Sequence, residues 1–178
     1  MEYYQTKKRC LYERIIDSEV FTYLNDDCSS RVIDLSENFV SMVPYASPGP
    51  YVVNILPLFG PESSLTTEGV DCSDFTTTTD ELIDECALML KKSILRLQIL
   101  LDEPCFNLVV QSAPVKNRAR QAAFNSSAFF RWHIRITPRL GEGALGGFEL
   151  GSGFFSNSHM PEDDAAALRG VNLPEIKK

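Results

Sequence analysis

Histidine is scarce in this chain: His133 and His159 are the only two among 178 residues. Chemistry that needs several imidazoles at one point cannot be assembled from this sequence alone. The five cysteines, Cys10, Cys28, Cys72, Cys86 and Cys105, are odd in number, scattered and without a Cys-x-x-Cys pair. That argues against a disulfide framework and for free thiols in a reducing, intracellular compartment, either the cytoplasm or an organelle stroma. Cations are outnumbered, with 17 Lys and Arg against 24 Asp and Glu, for a net charge of -7. Non-specific nucleic-acid binding, which depends on neutralising phosphates, is therefore disfavoured. One basic cluster, Lys116-Asn117-Arg118-Ala119-Arg120, reads as a solvated loop or a local basic site. No apolar run approaches the roughly 20 residues that a bilayer-spanning helix needs. Residues 1–5 lack the charged-then-apolar layout of a signal peptide. Neither an internal repeat nor a clear linker divides the chain, so residues 1–178 read as one domain.

What is present has the pattern of an α+β domain. Residues 31–34, 39–43 and 51–56 have strand length and apolar or alternating character. A turn-rich break with three prolines, Pro44, Pro48 and Pro50, separates the last two. Residues 62–79 are polar and threonine-rich, and predict a loop. A long helix is expected over residues 80–102, opened by a Thr78/Glu81 capping box. Its apolar stripe is Ile83, Cys86, Ala87, Leu90, Ile94, Leu97 and Leu101. A second stripe, Leu88, Leu95 and Ile99, belongs either to the monomer's own core or to a contact with a protein partner or a second copy. Leu95 and Ile99 should be covered by the N-terminal segment or by another chain, because soluble monomers avoid large apolar patches. Residues 106–111 predict a buried strand, 115–125 a loop, 129–137 and 146–152 two more strands, and 161–169 a short helix with proline in its first turn. The expected architecture is a largely antiparallel sheet with one long helix and a short C-terminal helix.

Residues 129–153 are the most distinctive stretch. An alternating run, Arg131-Trp132-His133-Ile134-Arg135-Ile136, leads into Pro138-Arg139, and Gly147-Phe148-Glu149 follows. With Cys10-Leu11-Tyr12-Glu13, Glu37-Asn38-Phe39-Val40, Pro44-Tyr45-Ala46-Ser47, Ile55-Leu56-Pro57 and Phe106-Asn107-Leu108-Val109-Val110, it forms a co-linear series. The series resembles the histidine-triad superfamily, and within it the C-terminal half of galactose-1-phosphate uridylyltransferase and related sugar-nucleotide phosphorylases. That resemblance implies a histidine-triad-like fold.

The departures bear on function. A histidine triad places His at three alternate positions, which here read Arg131, His133 and Arg135. In this family zinc is held partly by a Cys-x-x-Cys pair and a later His. Here Glu13 replaces the second Cys, and the later His is missing from the segment around Gly60. A tetrahedral zinc site needs about four N or S ligands, so neither a metal nor another cofactor is expected, and Cys10 reads as a buried thiol. The family's nucleophile lies in an N-terminal-half His-Pro-His motif that this sequence lacks. His133 is left with three readings: a structural histidine, part of a ligand pocket beside Arg131 and Arg135, or a nucleophile. Resemblance assigns Glu149 to hexose hydroxyls, and a solvated strand-end Glu is its alternative. The candidate ligand site is therefore Arg131, His133, Arg135 and Glu149, with a sugar phosphate or nucleotide as ligand. His159, before the last helix, is expected to be exposed. The missing groups favour a non-catalytic binding or structural subunit. The alternative is a sugar-1-phosphate nucleotidyltransferase, phosphorylase or nucleotide hydrolase, working through His133 or with an N-terminal half.

Overall fold

The computed structural model describes residues 2–60, 70–113, 126–140 and 147–175. Two helices open the chain, α1 (Glu2–Lys7) and α2 (Leu11–Leu24). Three strands follow: β1 (Val32–Leu35), β2 (Phe39–Met42) and β3 (Val53–Pro57). The long helix α3 (Asp80–Leu101) leads to β4 (Phe106–Gln111) and β5 (His133–Pro138). Helices α4 (Gly147–Ser152) and α5 (Pro161–Arg169) complete the order. The strands make one sheet in the order β1-β2-β3-β5-β4, with every neighbouring pair antiparallel.

Alternation along the strands divides the apolar side chains between two faces. On one face Ile33, Phe39, Val53, Ile55, Ile134 and Ile136 meet Leu82, Cys86, Met89 and Leu97 of α3, with Ala165 and Leu168 of α5. On the other face Val32, Val40, Met42 and Leu56 meet Ile16 of α2, with Tyr12, Val20 and Tyr23 packed around them. Those α2 positions recur at helical spacing, which is why an otherwise polar segment folds against the sheet.

Several expected elements are corrected. Residues 146–152 were expected as a strand, but 147–152 are helical, closed by Gly153 N–H donating to Glu149 O (2.9 Å) and Ser152 Oγ to Phe148 O (2.7 Å). Both neighbours of β5 are already taken by β3 and β4, so a strand next to it would find no partner. β4 has the expected span but is not buried: Leu108, Val109 and Val110 in succession are 41–49% exposed. It lies at the sheet edge, while α3 covers β2 and β3. The motif strand begins at His133 rather than 129, because Phe129 and Phe130 fold back to Ser126 O and Trp132 N–H donates to Cys72 O (2.9 Å).

Helix α3 is capped by Thr79 rather than Thr78. Glu81 reaches back to the Thr79 side chain, and this bond together with its own backbone N–H lowers its pKa. The stripe that α3 buries is Leu82, Cys86, Met89, Ser93 and Leu97, leaving Ile83 exposed. Leu88 and Leu95 are half-buried and Ile99 is 53% exposed. The N-terminal segment packs elsewhere, with Tyr4 against Phe129 and Tyr3 against Arg14. Of the loop expected at 62–79, residues 62–69 lie outside the described residues and the rest carries a short 3-10 turn, Phe75–Thr77; the loop expected at 115–125, with the basic cluster, also lies outside the described residues.

Candidate functional site

The face of β5 turned away from α3 carries His133 and Arg135, and α2 supplies its roof. Tyr12 lies over His133 with ring centroids 5.6 Å apart, and Phe130 adds a second ring at 6.0 Å. His133 is 3% exposed. Burial is the main cause that lowers its pKa, reinforced by the Arg135 charge, while the bond from Nδ1 to Arg131 O (3.0 Å) opposes both. A carbonyl only accepts, so the neutral ring carries its proton on Nδ1 and its lone pair on Nε2. Arg135 Nε donates to Asn54 Oδ1 (3.1 Å), and Asn54 is its cross-strand partner on β3.

A cavity of about 680 Å³ opens on this face between α2 and the β2–β3 strands. Tyr12, Arg14 and Glu19 of α2 line it, with Arg31, Tyr45 and Asn54 from the sheet side. Arg31 ties the wall together: it pairs with Glu19 and Glu162, and its guanidinium lies 5.1 Å from the centre of the Tyr45 ring. Arg14 on the rim donates to Tyr3 Oη (3.2 Å). Burial is the leading cause of a raised Tyr12 pKa, so its phenol stays protonated at neutral pH.

The four sequence-predicted site residues are placed differently from one another. His133 and Arg135 share the cavity-side face of the sheet. Arg131 does not lie in the strand, and its wholly buried side chain is directed to Glu13 and to Cys72 Sγ (2.9 Å), so it is not a ligand contact. Glu149 is half-buried on α4 rather than on a strand beside the other three. His159 is exposed, as expected, and its Nδ1 meets Asp164 Oδ1 at 2.8 Å.

Tyr12, Arg14, Arg31, Tyr45 and Asn54 were not anticipated as site residues. The helical spacing of Tyr12, Ile16, Val20 and Tyr23 was the available signal for α2, and through it for the roof.

The zinc implied by the family resemblance does not fit the residues present. Glu13 of the opening motif is paired with the Arg131 guanidinium, which also donates to Cys72 Sγ, and Cys10 is a buried cysteine near enough to act electrostatically on Cys72. Among the described residues no three His, Cys, Asp or Glu side chains form a metal-holding group. Cys72 itself is pushed up to about 11, chiefly by burial, which keeps it a thiol.

His133 makes stability depend on pH with a definite sign. An unfolded histidine titrates near 6.5. The folded pKa lies below that, so in the interval between them the unfolded chain binds more protons. Stability should therefore fall as pH drops below about 6.5, by at most about 1.4 kcal/mol per pH unit. Urea unfolding of His133→Gln beside the wild type at pH 7.5, 6.5 and 5.5 checks this. The stability of wild type relative to His133→Gln should fall towards acid, and a constant difference would mean that His133 titrates equally in both states.

No family model matches the sequence. A curated ADP-glucose phosphorylase of Arabidopsis thaliana is 30% identical over 142 residues, covering 80% of this chain and 35% of the relative. The crystal structure of an ADP-glucose phosphorylase from Arabidopsis thaliana with bound ADP-glucose superposes with a TM-score of 0.74 at 25% identity, over 97% of this chain and 46% of that one. A uridylyltransferase structure shares the fold at a TM-score of 0.70 and 22% identity, over 94% of this chain and 46% of its own. The chain thus spans about a third of the curated relative and under half of these structures. The expectation of a non-catalytic binding or structural subunit is overturned by this kinship, which is with an enzyme that handles ADP-glucose. The chain has the histidine-triad-like fold, and in fold and sequence it is similar to the uridylyltransferase-like ADP-glucose phosphorylases.

Proposed function

We propose that this domain forms part of a sugar-nucleotide phosphorylase or nucleotidyltransferase and holds the sugar nucleotide in the cavity between α2 and the sheet. The observation that carries this reading is that cavity, lined by Tyr12 beside His133 and by Asn54, the partner of Arg135, in a chain 30% identical over most of its length to an ADP-glucose phosphorylase. The cavity's 680 Å³ falls within the roughly 300–1,000 Å³ usual for small-molecule sites. Tyr12 and Tyr45 offer faces for a base, and Arg14 at the rim offers a charge for the diphosphate. His133 and Arg135 form the adjoining floor, and Glu149 is the candidate acceptor for sugar hydroxyls.

A single histidine on the motif strand supports a division of labour, in which a second histidine-triad-like half supplies the attacking imidazole. We place that half against Ile99 of α3, beside Leu88 and Leu95, and along β4. The edge strand Phe-Asn-Leu-Val-Val-Gln carries no charge, bulge or proline to discourage pairing. Free cysteines at all five positions support a reducing compartment, cytoplasm or stroma.

Calorimetric titration with ADP-glucose tests the reading. The domain should bind it, and Arg14→Ala should weaken binding roughly tenfold through loss of one charge-assisted hydrogen bond. Absence of binding at millimolar ligand, or an Arg14→Ala affinity equal to wild type, would sink the assignment.

A further inference from the structure

Arg131 has no part in the cavity, yet it is one of the most thoroughly enclosed side chains in the molecule, at 0% exposure. A charge this deeply buried persists only where partners compensate it. Its guanidinium reaches Glu13 on α2, Cys72 Sγ (2.9 Å) in the segment before α3, and Phe130 O (3.1 Å). The exit of β3 completes the enclosure at Gly60. A Cβ built on that glycine would collide with the Arg131 guanidinium and the Glu13 carboxylate, so the lack of a side chain makes room for the ion pair. Three pieces of chain distant in sequence thus close on one cation: the start of α2, the turn after β3 and the segment ahead of α3.

We propose that the Arg131 guanidinium is a built-in cation that replaces a bound metal as the cross-link between α2 and the motif strand, making this domain independent of zinc. The residues explain the exchange. Where the resembling family has its second motif cysteine, this chain has Glu13, a carboxylate suited to a guanidinium fork. Where the family's later histidine would fall, the chain has Gly60, whose lack of a side chain vacates the space that the fork occupies. The Arg131 guanidinium presents five donors in a rigid plane. It can therefore hold several elements at once, as a tetrahedral ion does. This inference stands apart from the sugar-nucleotide reading, because it concerns how the roof of the cavity is held rather than what enters.

The test uses the full chain and reads metal content and thermal unfolding. Protein purified with zinc in the medium should hold no stoichiometric zinc, and an excess of chelator should leave Tm unchanged. Arg131→Met should lower Tm on the order of 10 °C, and added zinc should not restore it. Glu13→Gln, which keeps the shape but removes the charge, and Gly60→Ala, which obstructs the fork, should lower Tm in the same sense. If Arg131→Met does not fold, these two carry the test in its place. One tightly held zinc per chain with a chelator-sensitive Tm would overturn the proposal. So would an Arg131→Met or Glu13→Gln protein as stable as wild type, since the guanidinium would then be cross-linking nothing.

Discussion

Trp132→Ala should lose about 3–5 kcal/mol of stability, as large aromatic truncations in packed cores do. Domains of this kind have only about 5–15 kcal/mol in total, so the variant should be largely or marginally unfolded at 37 °C. Trp132 sits between two aromatic neighbours on the α3 side of the sheet. Phe39 lies 5.8 Å away and Phe75, in a short 3-10 turn, 5.0 Å away at 82°, an edge-to-face arrangement. No part of it reaches solvent. Its own N–H pins the Cys72 segment (2.9 Å), so the ring and the backbone at this residue bind the same stretch. Truncation would open a cavity that neither strands nor helix can close without moving.

Trp132→Phe should behave very differently. The indole Nε1 has no hydrogen-bond partner among the described residues. Replacing indole by phenyl removes a buried donor along with part of the ring, so the desolvation recovered offsets some of the lost packing. We expect a cost near 1 kcal/mol. Urea denaturation separates the two, with a large fall in midpoint at unchanged slope for alanine and a small one for phenylalanine. Equal losses would mean that the indole N–H is satisfied in solution.

Trp132 also shows what the sequence made legible. The alternation Trp132, Ile134, Ile136 marks one face of a strand, and the structure buries those three together beneath α3. The same alternation misleads at Arg131. Period-two reasoning puts Arg131, His133 and Arg135 on one face, but the strand begins only at His133. Before it the backbone turns back on Ser126 and is held by Cys72, a contact far away in sequence that no local pattern reveals. Strand β4 was legible in extent and not in burial, because Leu-Val-Val looks the same whether helices cover it or it forms a bare edge. Helix α4 was misread since a Gly-Phe-Glu segment has no strong preference of its own, and the lack of a free place beside β5 decided it.

Of the surroundings of the candidate site, only the adjoining face of β5 was legible in the sequence. His133 and Arg135 follow from the motif strand, whereas the roof comes from α2, whose apolar positions are diluted by charge. Arg31 and Glu19 become wall residues only because α2 lies across β1 and β2. Arg131 is the most instructive case. Its type and position suggested phosphate binding, but a complementary carboxylate one helical turn into the chain's second helix, and a glycine after β3, claim it instead.

Asp164→Ala should be the costliest change on the surface side of α5, at about 2–4 kcal/mol. The carboxylate is almost wholly enclosed, yet it has two donors: Tyr51 N–H (2.8 Å) and His159 Nδ1 (2.8 Å). Tyr51 has φ +56°, a left-handed conformation that a residue with a bulky side chain adopts only under constraint. Asp164 supplies that constraint by accepting the Tyr51 N–H, and the Tyr51 ring stands edge-on to His159 at 5.2 Å. Alanine would strand a donor, release a strained turn at the entry to β3, and free the N-terminal end of α5. Asparagine keeps an acceptor for Tyr51 and should lose less, while His159→Ala removes a partner that is already partly in solvent and should lose least. The loss should reach the site as well. Glu162, two residues before Asp164, pairs with Arg31 on the cavity wall, so if the cavity takes ADP-glucose as proposed, loosening α5 should weaken that binding in step with stability. Denaturation midpoints for the three variants, with titrations at a temperature where all remain folded, give the ranking. A ranking in which His159→Ala equals Asp164→Ala would assign the constraint to the histidine and not to the buried carboxylate.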